Sequence, residues 1–363
     1  MHSLSFQSLS HRISEFILGS EGRANSADAL AVLSKQLFSL QYQHNPVLHS
    51  ICEGRGISPA NISDWKGIPA IPTEAFKEMS VSCIPADQVI AEFHSSGTSN
   101  QVPSRHQHHT QSLQLYEVSA LHGFSLRIGP NPPSVILSLT PSPLEAPHSS
   151  LVHMFHKIIS ALGGPGSRFL GQLEPNGWGI DYSECIAQVS STSRPVLLMG
   201  TAFNFVHLLD HLEATGSTFS LPTGSQVLET GGYKGRSRQM SQRELHTGIG
   251  SRLGVDRRSI LTEYGMSELS SQAYSLPGLS ETDHSILRFP HWARALVVSA
   301  ESGQEVPDGH SGILRILDLA NTWSALMVQT SDLAIRRGED FELIGRVSNA
   351  ETRGCSLMAV PGV

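Results

Sequence analysis

At 363 residues the chain can bury a substantial core, and its 39% apolar content suits a globular protein. Charged residues make up only 16% and the net charge is −7, with no dense Lys/Arg run, which excludes a nucleic-acid binder driven by phosphate contacts. No apolar stretch approaches a membrane span, and Met1 to Ser20 lacks a basic region followed by an apolar block, so no secretory signal is expected; the four scattered cysteines point to a reducing cytoplasm.

In chain order, Leu4, Phe6, Leu9, Ile13, Phe16 and Ile17 recur at helical intervals over residues 3–19. A second helix is predicted from near Ser26 to about Gln43, ended by Asn45-Pro46. The prolines of Ile68-Pro-Ala-Ile-Pro72 forbid a central strand between Trp65 and Phe76. Val89 to Phe93 leads into a polar loop, and a helix is predicted from about Thr110 to Gly123.

The middle alternates strand and helix. Strands are predicted at Val135–Leu139, Pro195–Met199, Ser225–Glu229 and Ser259–Thr262. Helices are predicted at Leu151–Leu162, ended by Gly163-Gly164, at Asn204–Glu213 and at Ser241–Leu253. Beyond residue 290 the pattern changes to short β-segments at Ala295–Ser299, Gly312–Leu317, Ser324–Gln329 and Glu342–Val347.

Four cysteines, Cys52, Cys83, Cys185 and Cys355, lie far apart with no CxxC pair, which fits neither a disulfide framework nor a zinc finger. Three of them read as small core residues. Cys355 follows Arg353-Gly354, so a cation lies close to the sulfur and little bulk shields it.

The chemistry concentrates in a few segments. His94-Ser-Ser-Gly-Thr-Ser-Asn-Gln-Val-Pro-Ser-Arg-His106 crowds hydroxyls, a glycine and an arginine into one loop, a surface suited to phosphates. It is neither a Walker loop nor a dinucleotide fingerprint, and an ordinary polar turn is an equal reading of it alone. Thr262-Glu-Tyr-Gly-Met-Ser-Glu268 puts a carboxylate after a strand and a tight turn; Glu268 suits Mg²⁺, which needs only one or two protein oxygens, and Tyr264 suits a purine. A buried tyrosine with an exposed helix-start glutamate competes with that reading. Asp332, after Thr330-Ser331, suits ribose hydroxyls, but a turn residue is the better reading of it in isolation. His106, His108 and His109 cluster after the loop, and His153 and His156 lie three apart; with 18 histidines in the chain, surface or core roles are favoured over a metal site.

Taken together, Ser95-Ser-Gly-Thr-Ser-Asn-Gln-Val-Pro-Ser-Arg-His106, Glu229-Thr-Gly-Gly-Tyr-Lys-Gly-Arg236, Thr262 to Glu268, and Gly345-Arg346 through Arg353-Gly-Cys-Ser356 resemble the acyl-protein synthetase (LuxE-like) family of the adenylate-forming superfamily. Gln43-His-Asn-Pro46 and Ile68 to Lys77 fit as well. The resemblance implies an α/β fold of mixed sheets with flanking helices, followed by a smaller β-rich, barrel-like portion. It implies a large domain over residues 1–345, β-rich from about 290 to 345, and a short tail over 346–363 that carries Cys355 in place of the superfamily's small C-terminal domain.

The resemblance also implies an AMP-forming ligase that uses ATP and Mg²⁺. Ser95, Ser96, Gly97, Thr98 and Ser99 would cradle the phosphates, and Gly231, Gly232, Tyr264 and Gly265 would border the adenine. Asp332 would take the ribose hydroxyls, Arg346 the ribose or a phosphate, and Glu268 the metal. Superfamily ligases carry a catalytic lysine in the small domain; Lys234 and Arg105 are the candidates for that charge here, and His106, within the matched motif, is a further candidate for the catalytic site. Cys355 would accept the acyl group as a thioester and pass it to an acyl reductase or another acyl-accepting protein. Two alternatives stay open on the sequence: a ligase that uses CoA or a carrier protein as external thiol, and a non-catalytic binding subunit.

Overall fold

A computed structural model describes residues 4–19, 23–95, 102–129, 132–174, 177–217, 219–231, 240–276 and 285–346. The chain divides into two compact units: residues 1–123, 266–272 and 288–363 form one, residues 124–265 and 273–287 the other. Met266 to Gln272 thus belongs to the first unit although both its flanks belong to the second.

The second unit is built on a sheet in the order Arg168–Phe169, Val135–Ser138, Val196–Thr201, Gln226–Thr230, Ile260–Tyr264 and Ala273–Ser275. All neighbours are parallel except the last pair, which is antiparallel. Parallel strands covered on both faces need continuous apolar runs. Val135-Ile-Leu-Ser138 and Val196-Leu-Leu-Met-Gly200 supply them and are buried throughout. Helices Tyr182–Ser191, Ala202–Thr215 and Gln242–Leu253 contribute Cys185, Val189, Phe205, Leu208, Leu212, Leu245, Ile249 and Leu253 to the core cluster. Each begins on a side-chain cap: Asp181, Thr201 and Ser241 accept from the first-turn amides, and Thr201 and Ser241 complete capping boxes with Asn204 and Glu244. Because the strands are parallel, Thr201, Thr230 and Tyr264 all end at one edge of the sheet, the edge where open α/β sheets take their ligands.

The first unit carries three N-terminal helices, Phe6–Leu18, Arg23–His44 and Pro46–Arg55. Leu9, Ile13 and Ile17 are fully buried, as the helical spacing predicts. Asn45-Pro46, read from sequence as a stop, also starts the third helix: Asn45 caps it through Oδ1, and Pro46 occupies its first turn, where a missing N–H costs nothing. Ile71–Pro72 forms a two-residue strand parallel to Met327–Arg337, within the limit that the prolines set.

The predicted β-rich portion is an antiparallel run of Ala293–Val298, Ser311–Asp318, Met327–Arg337 and Asp340–Arg346. Among the described residues these strands do not close into a barrel. Ala91–His94 and Arg105–His108 form a separate antiparallel pair below the serine-glycine loop. Helix Tyr182–Ser191 and the hairpin Gly171–Glu174 with Gly177–Ile180 were not predicted. Among the described residues no helix is long and apolar enough to cross a membrane.

Candidate active site

In the first unit, the hairpin pairing His94 with Arg105 closes the base of the serine-glycine loop. Ser95 N–H donates to the Ser104 carbonyl (3.1 Å), and Ser104 N–H donates to Ser95 Oγ (2.9 Å). Ser104 Oγ lies 3.3 Å from Ser267 Oγ, and Ser267 Oγ donates to Glu268 Oε2 (3.0 Å). Since the Ser267 proton is committed to the carboxylate, Ser104 is the donor in its pair with Ser267. A chain of hydroxyls therefore connects the foot of the loop to Glu268.

His106 extends this contact. Its ring is 2% exposed, and Nδ1 lies 2.8 Å from the Ser267 carbonyl, which can only accept, so Nδ1 carries the proton. Burial pushes the imidazole down to about 4, the bond to Ser267 opposing it in part, so the ring is neutral. His106 and His108 sit with ring centroids 4.3 Å apart in the core of this unit. Arg105 is exposed.

The segment Met266–Gln272 is fixed from its other side by a buried polar loop. Asn321 Nδ2 donates to the Glu268 carbonyl (2.9 Å), and Asn321 Oδ1 accepts from Ser270 Oγ (2.7 Å). Asp318 accepts from Ser270 N–H (2.8 Å), Ser271 Oγ (2.6 Å) and Ala320 N–H (2.9 Å). Burial raises the Asp318 carboxyl above its ordinary value against the pull of these donors. Gln41 holds the far side of the loop by donating to the carbonyls of Asn321 and Thr322 and accepting from Leu326 N–H.

Asp332 and Arg346 are brought together by strand register. They stand opposite each other in the last antiparallel pair, next to an irregularity at Leu333 and Ala334. Gly345, at φ 153°, absorbs that irregularity. Arg346 Nε donates to Asp332 Oδ1 at 2.5 Å; the Asp332 side chain is 6% exposed and that of Arg346 73%. Asp332 N–H also donates to Thr330 Oγ1 (3.0 Å).

In the second unit, Gly231 and Tyr264 follow directly on paired strand residues, Thr230 and Glu263. Gly231 adopts φ 74°, a conformation open to glycine and costly for other residues, and so turns the chain out of the sheet. Tyr264 is 8% exposed. Beneath them Glu229 Oε1 accepts from Gln242 Nε2 (3.1 Å), His246 Nε2 (3.0 Å) and Thr262 Oγ1 (2.8 Å). Thr230 Oγ1 donates to Glu263 Oε2. Burial, together with the neighbouring Glu229 charge and against the Thr230 bond, pushes the Glu263 carboxyl up to about 7.

Ser96, Gly97, Thr98, Ser99, Gly232, Lys234 and Cys355 lie outside the described residues. The other three thiols are free: Cys52 and Cys185 are buried and Cys83 is half-buried. Burial pushes their pKa values up to about 11 for Cys52 and about 12 for Cys83 and Cys185, leaving them protonated at neutral pH. Among the described residues no group of three or more His, Cys, Asp or Glu side chains suits a resident metal ion. Glu268, 5% exposed with one oxygen engaged by Ser267, fits the lighter demand of Mg²⁺ arriving with nucleotide phosphates.

Ser104, Ser267, Asn321, Asp318 and Glu263 were missed in the sequence reading. Ser104, Glu263 and Ser267 lie within segments already singled out, whereas Asp318 and Asn321 belong to no motif.

A solved structure of 2-hydroxyisobutyryl-CoA ligase, in complex with 2-HIB-AMP and CoA, matches at a TM-score of 0.69 with 13% identity, over 91% of this chain and 70% of that one. The amide bond synthetase McbA from Marinactinospora thermotolerans matches at 0.51 with 13% identity, over 73% and 50% of the two chains. The fold is that of the adenylate-forming, AMP-producing ligases. Within that class, the acyl-protein synthetase family, LuxE, matches residues 7–360, and the chain belongs to it. A curated relative, the long-chain-fatty-acid–luciferin-component ligase of Vibrio harveyi, is 21% identical over 339 residues, covering 90% of this chain and 85% of the relative.

Proposed function

We propose that this ligase activates a fatty acid as acyl-AMP and loads the acyl group onto its own Cys355 for delivery to a partner protein, such as an acyl reductase. The observation that carries the reading is the chain of hydroxyls from Ser104 through Ser267 to Glu268, with Ser95 Oγ held by the Ser104 backbone N–H. It ties a loop suited to phosphates to a carboxylate suited to the accompanying cation.

In the first step a carboxylate oxygen of the acid attacks the α-phosphorus of ATP. The bond from that phosphorus to the bridging oxygen breaks, and pyrophosphate leaves. Ser95, Ser96, Gly97, Thr98 and Ser99 hold the phosphates with hydroxyls and backbone N–H groups. Glu268 would hold Mg²⁺, which would supply positive charge to offset that of the phosphates. Arg105 and Lys234 supply further positive charge, so that two anions are brought together. Gly231, Gly232, Tyr264 and Gly265 border the adenine, Asp332 accepts from the ribose hydroxyls, and Arg346, already on Asp332, reaches the ribose or a phosphate. Neutral His106 holds Ser267 through its carbonyl and so acts on Glu268 at one remove.

In the second step the Cys355 thiolate attacks the acyl carbon, AMP leaves, and a thioester remains. Arg353 favours the thiolate. The raised pKa values of Cys52, Cys83 and Cys185 support Cys355 as the carrier, because those thiols are poor nucleophiles at neutral pH.

The test is intact-protein mass after incubation with ATP, Mg²⁺ and a panel of fatty and aryl acids, followed by hydroxylamine. The expected result is an ATP-dependent, hydroxylamine-labile gain that maps to Cys355. AMP release that requires added CoA or carrier protein, without an adduct, overturns self-acylation. No AMP release with any acid overturns adenylation.

A further inference from the structure

Glu263 is a buried carboxyl to which the mechanism above assigns no step. It is 4% exposed, as is Thr230, in a strand buried at every position. A buried acid is costly unless its oxygens are satisfied, and an apolar or β-branched residue would serve a buried strand better. What distinguishes position 263 is its place in the ladder. Glu263 and Thr230 form the last pair between strands Ile260–Tyr264 and Gln226–Thr230. Beyond them Gly231 turns away at φ 74° and the parallel register ends, while Tyr264 pairs with Ala273 in the antiparallel register on the opposite side. A parallel ladder frays first at such an end. There the Thr230 hydroxyl donates across the gap to Glu263 Oε2.

One residue earlier, Thr262 and Glu229 form the preceding pair and are also joined by side chains, with Gln242 and His246 on the same carboxylate oxygen. The two final rungs are thus locked by side chains as well as by backbone. Burial and then the neighbouring Glu229 carboxylate raise the Glu263 pKa, which favours its protonated form beside a second acid.

We infer that Glu263 is a positioning residue for the nucleotide: its tie to Thr230 sets the gap between Gly231 and Tyr264, the residues that border adenine. The role rests on the adenylation reading, and it assigns the tie to ATP affinity rather than to the chemical step.

Calorimetric titration of the full chain with a non-hydrolysable ATP analogue tests it, alongside ATP–pyrophosphate exchange and thermal melts. Thr230→Val removes the hydroxyl at constant shape, Glu263→Ala removes the acceptor, and Glu263→Gln keeps an acceptor oxygen. Thr230→Val and Glu263→Ala are expected to weaken analogue binding about tenfold or more, while exchange at saturating ATP stays within about twofold. Glu263→Gln is expected to restore most of the affinity. If Glu263→Ala does not fold, Thr230→Val decides alone. Wild-type affinity in folded Thr230→Val overturns the role, and so does an equal fall in affinity and in saturated exchange. Wild-type protein that binds no analogue overturns the adenylation reading and this role with it; binding that the variants leave unchanged overturns the positioning role alone.

Discussion

Asn321 donates from Nδ2 to the backbone carbonyl of Glu268 at 2.9 Å, across 53 residues of chain and wholly within the protein interior. The same amide also donates to the Ala325 carbonyl and accepts from Ser270 Oγ, so one side chain satisfies three buried groups. Replacing it with leucine keeps much of the volume and strands all three. Each stranded group costs about 1–3 kcal/mol, so Asn321→Leu should lower stability by at least about 3 kcal/mol and reduce pyrophosphate exchange. Denaturant unfolding and exchange measured on the same preparation check this. Full exchange in a destabilised variant would show that Glu268 keeps its place without Asn321.

Glu268→Gln removes a charge and keeps the shape of the side chain. Exchange should fall, most steeply when Mg²⁺ is limiting, because a neutral amide is a weaker ligand for a hard cation. A Mg²⁺ titration of exchange reads this directly. An unchanged Mg²⁺ requirement counts against Glu268 as the metal ligand.

Asp332 and Arg346 make a lopsided pair, one side chain 6% and the other 73% exposed. Such a pair contributes little to stability, since solvent screens the exposed partner. Arg346→Ala should therefore cost less than about 1 kcal/mol in unfolding experiments. If both residues contact nucleotide, Arg346→Ala and Asp332→Ala should each raise the ATP KM about tenfold. An unchanged KM in both variants would remove the ribose assignment.

Glu263 and His106 give stability opposite slopes with pH. Folding raises Glu263 from an ordinary value of 4.5 to about 7, so its contribution is complete below 4.5 and is lost as pH rises toward 7. Folding lowers His106 from 6.5 to about 4, so its contribution is complete above 6.5 and is lost as pH falls toward 4. Glu263→Gln deletes the first slope and leaves the second. Relative to wild type, the variant should gain about 3 kcal/mol between pH 4.5 and 7, by urea unfolding at both ends. A parallel offset at the two pH values would mean that Glu263 is ionised in the fold.

Cys355→Ser should abolish hydroxylamine-labile acylation while leaving carboxylate-dependent pyrophosphate exchange within about twofold, since the thiol acts only after acyl-AMP has formed. Mass spectrometry and exchange report the two steps separately. Equal loss of both would place Cys355 in the adenylation step.

What could be read from the sequence follows from how locally each feature is encoded. Leu9, Ile13 and Ile17 announce a helix by spacing alone, and Val196 to Met199 announce a buried strand by composition alone. The hairpin of Gly171–Glu174 and Gly177–Ile180 has little apolar alternation, so its strands do not announce themselves, and its one local signal is the turn-forming dipeptide Asn176-Gly177. The loop from Asp318 to Leu326 misleads in another way. Asp318, Asn321 and Thr322 are polar residues in a gap between two predicted strands, yet all are buried, because their partners Gln41 and Ser270 lie far off in the chain. At the candidate site Glu268 stood out by its motif. Ser104 and Ser267 acquire meaning only from a contact between residues 163 apart, which no local pattern contains.

The discontinuous first unit has a consequence for how the protein is made. His106 meets its carbonyl partner 161 positions later, and Ser119 meets Ser271 152 positions later. A ribosome delivering the chain from its N-terminus must emit the parallel strands of the second unit before either partner arrives. The contacts of His106 with Ser267 and of Ser119 with Ser271 therefore belong to the late-forming, non-local part of the fold.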